Sequence, residues 1–168
     1  RSIVFTRAYS QANETLYSHA ALFTGRYPSD MGELRYESFR LPPDTPTLAA
    51  CLAQDGYRTE AVVAGAHLSA HFGLGAGFQR YAAMQDFASF QQTVPHALQR
   101  LEELAQGEDP FLLLVHGYDT HSPYLKGGAF HRLETPGYDG PMLALARDPF
   151  TYERILQDRF YPAFQPPQ

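Results

Sequence analysis

The apolar positions of the chain fall into a few short groups with different spacings. Leu16, Ala20 and Phe23, with Ala21 and Leu22 beside them, recur every three or four residues, the repeat of an amphipathic helix, and Gly25 supplies a stop after Thr24. Thr15 therefore stands at or near a helix N-terminus. A second helix is predicted over 45–55: Thr45 can cap it, Pro46 suits its first position, Leu48, Cys51 and Leu52 share one face, and Gly56 ends it. A third is predicted over 89–105, with Pro95 early, Leu98, Leu101 and Leu104 turned inward, and Gly107 at the stop. Strands are predicted over 57–63 and over 111–115, the latter apolar without alternation, as a central parallel strand covered on both faces would be. Ile3-Val4-Phe5, with Ala8-Tyr9, reads as a short buried strand. Between 26 and 43, Tyr27-Pro28, Met31-Gly32 and Leu41-Pro42-Pro43 break both periods and predict a surface excursion. Beyond Leu125 the pattern fades into glycine and proline pairs, with one helix predicted over 152–158.

Helix, strand, helix, strand implies right-handed crossovers and an α/β layer architecture. The 168 residues, 44% of them hydrophobic, suffice for one domain with a sizeable core. With 18 acidic against 13 basic residues, the net charge of -5 offers no electrostatic footprint for a polyanion, and no nucleic-acid partner is expected. No apolar run approaches the length of about 20 residues that a membrane helix needs. Cys51 is the only cysteine, which excludes an intrachain disulfide and a multi-cysteine zinc site. The chain opens inside an apolar segment without an initiator Met, so it is expected to be a processed product or part of a longer one.

Parallel sheets bind ligands beyond the carboxyl ends of their strands, and the strand at 111–115 runs into His116-Gly117-Tyr118-Asp119-Thr120-His121-Ser122-Pro123-Tyr124. His121 leads as a site residue there, followed by Asp119 and His116; the alternative makes His116 a core residue and Asp119 a turn former. Thr15 is the second candidate, because unpaired amides and the helix dipole at an N-terminus stabilise an anion such as phosphate or sulfate. A free threonine is a feeble nucleophile and would need a metal or a base, and its alternative role is to cap the helix. Asn13-Glu14-Thr15 is also a glycosylation sequon. His67 and His71 would share a face only on a regular helix, which their glycine-rich flanks oppose, and Gly73 to Gly77 lacks the full dinucleotide-loop pattern. The 12 Phe and 11 Tyr are assigned to core and pocket walls.

Several motifs carry a resemblance. Ser18-His19-Ala20-Ala21-Leu22-Phe23-Thr24-Gly25-Arg26-Tyr27-Pro28 resembles the helix after the sulfatase nucleophile, with its Ser-Arg-Ala-Ser/Ala-Leu-Leu-Thr-Gly-Arg-Tyr-Pro signature. Thr45-Pro46-Thr47-Leu48-Ala49 through Gly56-Tyr57-Arg58-Thr59 is similar to the family's next helix and strand, and Gly77-Phe78 with Tyr81 to its Gly-Phe-Asp segment. Pro110-Phe111 through His121-Ser122-Pro123-Tyr124 is similar to its substrate-binding histidine loop. Order and spacing agree over about residues 1–124, so the chain resembles the N-terminal part of a sulfatase-family catalytic domain in the alkaline phosphatase superfamily.

The resemblance implies a three-layer αβα, alkaline-phosphatase-like fold with a mostly parallel central sheet, left incomplete by this chain. Residues 1–168 would form a single partial catalytic domain, irregular over 125–168. It implies a hydrolase or transferase acting on a sulfate or phosphate ester of a small molecule or glycan. The family's nucleophile falls nine residues before the Thr of Thr-Gly-Arg, on Thr15, which would also be a metal ligand. His121 would hold an ester oxygen, with Asp119 beside it; His19 would replace the family's anchoring arginine, and His67 would match the histidine of its Gly-Lys-x-His segment. Thr15-Leu16-Tyr17-Ser18-His19 lacks the Cys, Pro and Arg of the Cys-x-Pro-x-Arg context, so formylglycine is not expected; related phosphodiesterases and phosphoethanolamine transferases use threonine instead. A divalent cation (Ca, Mg, Mn or Zn) is implied for the complete domain. The family holds it with an N-terminal Asp pair and a C-terminal Asp-Asn or Asp-His pair, neither of which is in this chain. Weak metal binding and negligible turnover are therefore expected of these residues alone. A catalytically inactive domain that binds an anion or a protein partner is the alternative, favoured by the replacements around Thr15. Members of the family are often periplasmic, extracellular or lysosomal, which suggests export.

Overall fold

The computed structural model describes residues 4–32 and 35–121. The chain divides into two compact units, Arg1–Tyr118 and Asp119–Gln168, and of the second only residues 119–121 are described. The first unit contains α1 (Thr15–Thr24), α2 (Leu48–Gln54), β1 (Arg58–Val63), β2 (Arg80–Ala83), α3 (Phe90–Ala105) and β3 (Phe111–Val115), with short 3-10 turns at Pro28–Met31, Ala66–Leu68 and Ala70–Phe72. The strands form a parallel sheet in the order β2-β1-β3.

Strand β1 holds the middle and is buried from Thr59 through Val63. Its alternating side chains serve two layers. Ala61 and Val63 join Leu16, Tyr17, Ala20 and Phe23 of α1, together with Phe39, Leu68, Phe72 and Leu74, in the main core. On the other face Glu60, 4% exposed, receives two hydrogen bonds from Arg100 of α3: Nε to Oε2 at 2.7 Å and a terminal nitrogen to Oε1 at 2.9 Å. Helices thus cover both faces of the sheet, the three-layer α/β arrangement expected from the sequence.

The structure corrects several details. Val4, Phe5 and Tyr9 form no strand and are 76–81% exposed, so the apolar opening finds no partner layer among the described residues; Ile3 lies outside them. Helix α2 starts at Leu48, because Thr47 is its cap: the Thr47 hydroxyl accepts from the Ala50 N–H at 3.1 Å and donates to the Ala76 carbonyl at 2.8 Å. Its inward residue is Ala49, while Leu48 and Cys51 are exposed. The reason is close approach. Gly77, at φ +85°, lies so near Ala50 that a Cβ there would strike the Ala50 backbone. Helix α3 buries Thr93, Ala97, Arg100 and Leu104, and leaves Leu98 and Leu101 outside, since the Arg100–Glu60 pair sets its rotation. Strand β3, expected at the centre, is an outer strand of the described sheet, and β2 occupies a segment in which no strand was expected. The helix predicted over 152–158 lies outside the described residues.

Candidate functional site

The carboxyl ends of the strands meet the amino end of α1. Thr15 is the first residue of α1; its N-cap is Glu14, in extended conformation, whose side chain makes no capping bond. Thr15 is thus a half-buried first-turn residue and not the cap. One turn on, His19 Nδ1 donates to the Thr15 carbonyl at 2.8 Å, which leaves Nε2 of the neutral ring with its lone pair. The Ser18 hydroxyl donates to the same carbonyl at 3.1 Å.

Hydrogen bonds hold the segments after the strands in place. Beyond β1, Ala64 N–H bonds the His116 carbonyl at 3.3 Å and Gly65 N–H the Gln85 carbonyl at 3.0 Å, while His116 N–H bonds Val62 at 3.0 Å. The chain then turns sharply. Ala66 has φ +53°, a left-handed conformation disfavoured for a residue with a Cβ, and its N–H is held by the Asp86 carboxylate at 2.5 Å. Gly65 is required beside it, because a Cβ would come within 2.6 Å of both that carboxylate and the Met84 carbonyl. Phe87 is the second residue of this kind, at φ +55°. Two strained positions flank one site, where local strain is often concentrated.

The turn delivers His67, whose ring lies 4.9 Å from Tyr36 and 6.3 Å from Phe87, with a buried Nδ1 that has no hydrogen-bond partner. His116 follows β3 directly. Its ring is 5.2 Å from His19 and 4.9 Å from Tyr118, and its buried Nδ1 is likewise unpartnered. Burial, helped by the neighbouring His19, lowers the His116 pKa to about 4; burial also lowers that of His19, against the opposing bond to the Thr15 backbone. Tyr118 is 3% exposed, and burial raises its pKa, while hydrogen bonding with the His67 backbone and the Thr15 side chain acts the other way.

Thr15, His19, His67, His116 and Tyr118 are therefore tied together at one end of the sheet. His71 is not among them: it falls in the next 3-10 turn, beside Phe72 and Arg40. Asp119 and His121 belong to the second unit, with Asp119 half-buried and His121 exposed. Sequence reasoning ranked His116 lowest in its loop and missed Tyr118, Asp86 and Tyr36. Tyr118 could have been found from its place between His116 and Asp119; Asp86 and Tyr36 carry no local signal. Among the described residues no group of three or more His, Cys, Asp or Glu side chains is arranged to hold a metal ion. The donors among the described residues do not make up a cation site on their own.

Helices on both faces of a parallel sheet, with a hydroxyl in the first turn of a helix near the strand ends, define an α/β protein. The Sulfatase family profile matches residues 1–134 of the 168, and the chain belongs to the sulfatase family. Among solved structures it resembles Ps i-CgsB in complex with k-i-k-neocarrahexaose, with a TM-score of 0.55 and 17% identity over 91% of this chain and 46% of that one. The structure of Ps i-CgsB alone gives a TM-score of 0.56 and 16% identity, with the same coverage. The likeness is one of fold, and this chain spans less than half the length of those chains. No curated protein matches the chain.

Proposed function

We propose that the chain forms the nucleophile-bearing part of a sulfatase-family hydrolase or transferase that acts on a sulfate or phosphate ester carried by a glycan. The observation that carries this reading is the position of Thr15, in the first turn of α1 and within hydrogen-bonding influence of Tyr118 from the end of β3. The Thr15 oxygen would attack the sulfur or phosphorus as the ester bond to the sugar breaks; the departing alcohol takes a proton, and water or an acceptor alcohol then removes the group from Thr15. Free amides of the first turn favour the anion there. Tyr118, its pKa raised, stays a proton donor at neutral pH, while His116, with its pKa near 4, is a neutral acceptor.

His121, with Asp119 beside it, would hold an ester oxygen, and His19 and His67 would bind the substrate from α1 and from the turn after β1. Residues 1–168 would be part of a longer catalytic domain, in keeping with the 46% coverage of the structural neighbours. A divalent cation would take Thr15 as one ligand and its remaining ligands from residues outside those described. The glycan assignment is supported by the hexasaccharide in the Ps i-CgsB complex.

The test is release of sulfate from neocarrahexaose, and of phosphate from chromogenic phosphate esters, by the complete protein with and without a chelator. Chelator-sensitive release of either anion is expected. Inertness towards both, with thermal stabilisation by free sulfate or phosphate, would instead mark an inactive anion-binding domain.

A further inference from the structure

A continuous strip of rings leaves the site and ends at a cation. From Tyr118 it passes to Phe87 at 5.0 Å, to His67 at 6.3 Å, to Tyr36 at 4.9 Å and to Phe72 at 5.0 Å. The guanidinium of Arg40 lies over the Phe72 ring, 5.5 Å from its centroid. Two rings of the strip are open to solvent, Tyr36 at 39% and Phe87 at 45% exposed, while Tyr118 and Phe72 are buried beneath them. Phe87 keeps its phenyl there despite φ +55°, a conformation that local packing must hold for so bulky a residue. The turn that does so is anchored at both ends, since Ala88 N–H bonds Gln85 and Tyr118 N–H bonds the Ala88 carbonyl, at 3.2 and 3.0 Å.

Arg40 is exposed, and its partners are all neutral: the Phe39 carbonyl at 2.5 Å, the Glu37 carbonyl at 3.5 Å and the His71 Nε2. Among the described residues no carboxylate pairs with it. In a chain of net charge -5, this rim therefore presents a positive charge without a carboxylate partner among the described residues, at the end of an apolar path. A ring face suits the apolar face of a sugar, and a guanidinium with N–H groups to spare suits a sulfate.

We infer that this strip is a subsite for the sugars next to the reacting one, with Arg40 holding a second sulfate group on the same glycan. The inference rests on the proposed glycan reading and deepens it: the substrate is a polysulfated oligosaccharide, and a lone sulfated sugar would leave Tyr36 and Arg40 unused.

The test measures dissociation constants by calorimetry for the complete protein and its Arg40→Gln, Arg40→Lys and Tyr36→Ala variants. The probes are a sulfated galactan hexasaccharide, its desulfated counterpart and galactose 4-sulfate. The wild type should prefer the sulfated hexasaccharide. Arg40→Gln should weaken its binding by about tenfold, the loss of one charge-assisted contact, and leave galactose 4-sulfate unchanged. Arg40→Lys should restore part of the loss, and Tyr36→Ala should weaken both hexasaccharides. If the sulfated hexasaccharide and galactose 4-sulfate bind equally, and Arg40→Gln and Tyr36→Ala change neither, the subsite is overturned while the glycan reading stands. If the wild type binds none of the three, the glycan reading falls and the subsite with it.

Discussion

The His116 imidazole stands edge-on to that of His19, with ring centroids 5.2 Å apart and planes at 89°. Protonating either would place a charge in a buried site beside a second ring, and both pKa values are lowered, that of His116 to about 4. The sign of the pH effect follows. An unfolded imidazole takes up its proton near pH 6.5, before the folded one does, so the folded state keeps its full advantage above that value. The advantage should fall as pH drops from 6.5 towards 4, and stay lost below. Denaturant titrations across this window should show the decline, and His116→Gln should flatten it; an unchanged slope in the variant would contradict the assignment.

The Glu60–Arg100 pair couples β1 to α3 with both groups largely out of water. Two hydrogen bonds from Arg100 hold the Glu60 carboxyl below the usual carboxylate range, against the opposing effect of burial, and Arg58 lies 3.6 Å away. Arg100→Met would leave the buried Glu60 carboxylate with only the longer Arg58 contact and should cost about 3 kcal/mol of unfolding free energy, the lower end of the range for breaking a buried pair. Replacing Glu60 by Gln in the same background should recover part of that loss. Equilibrium urea denaturation of the two variants checks both signs.

Asp86 holds the Ala66 amide in its left-handed turn. Asp86→Ala should remove a charge-assisted bond worth about 1.5–3 kcal/mol locally and loosen the turn that carries His67. Hydrogen exchange at the Ala66 amide should quicken far more than at Val62 in the middle of the sheet. Equal exchange rates in variant and wild type would show that the turn holds without the carboxylate.

Gly77 is a packing constraint of another kind. Gly77→Ala would drive a methyl group into the backbone of α2 at Ala50 and also oppose φ +85°. A loss of about 1–3 kcal/mol is expected, read as a lower thermal midpoint.

Much of this architecture was legible in the chain. The span of β3, the limits of α1 with Gly25 in left-handed conformation, and the Ser89 start of α3 follow from local period and capping chemistry, which need no knowledge of the rest of the fold. What failed was decided by tertiary contact. Helix α2 turns Ala49 inward because Gly77 approaches its backbone, and α3 is rotated by a buried ion pair that a count of leucines ignores. The short β2, with two alanines and no alternation, exists through its register with Glu60 to Val63. At the site, the helix signature placed Thr15 and His19, since both ride on one well-marked element. Asp86 lies 20 residues from the amide it holds, and Tyr36 lies 31 residues from His67; only folding brings either pair together.

The central claim is that Thr15 is the attacking group, and turnover of Thr15→Ala and Thr15→Ser in the complete protein tests it most directly. No side-chain bond from Thr15 caps α1, so Thr15→Ser should melt as the wild type does, while Thr15→Ala also takes the hydroxyl away from Tyr118 and should melt slightly lower yet remain folded. Thr15→Ala should lower kcat by at least about a thousandfold, and Thr15→Ser, which keeps the hydroxyl, should retain measurable turnover. An alanine variant that releases sulfate or phosphate at the wild-type rate would contradict the account.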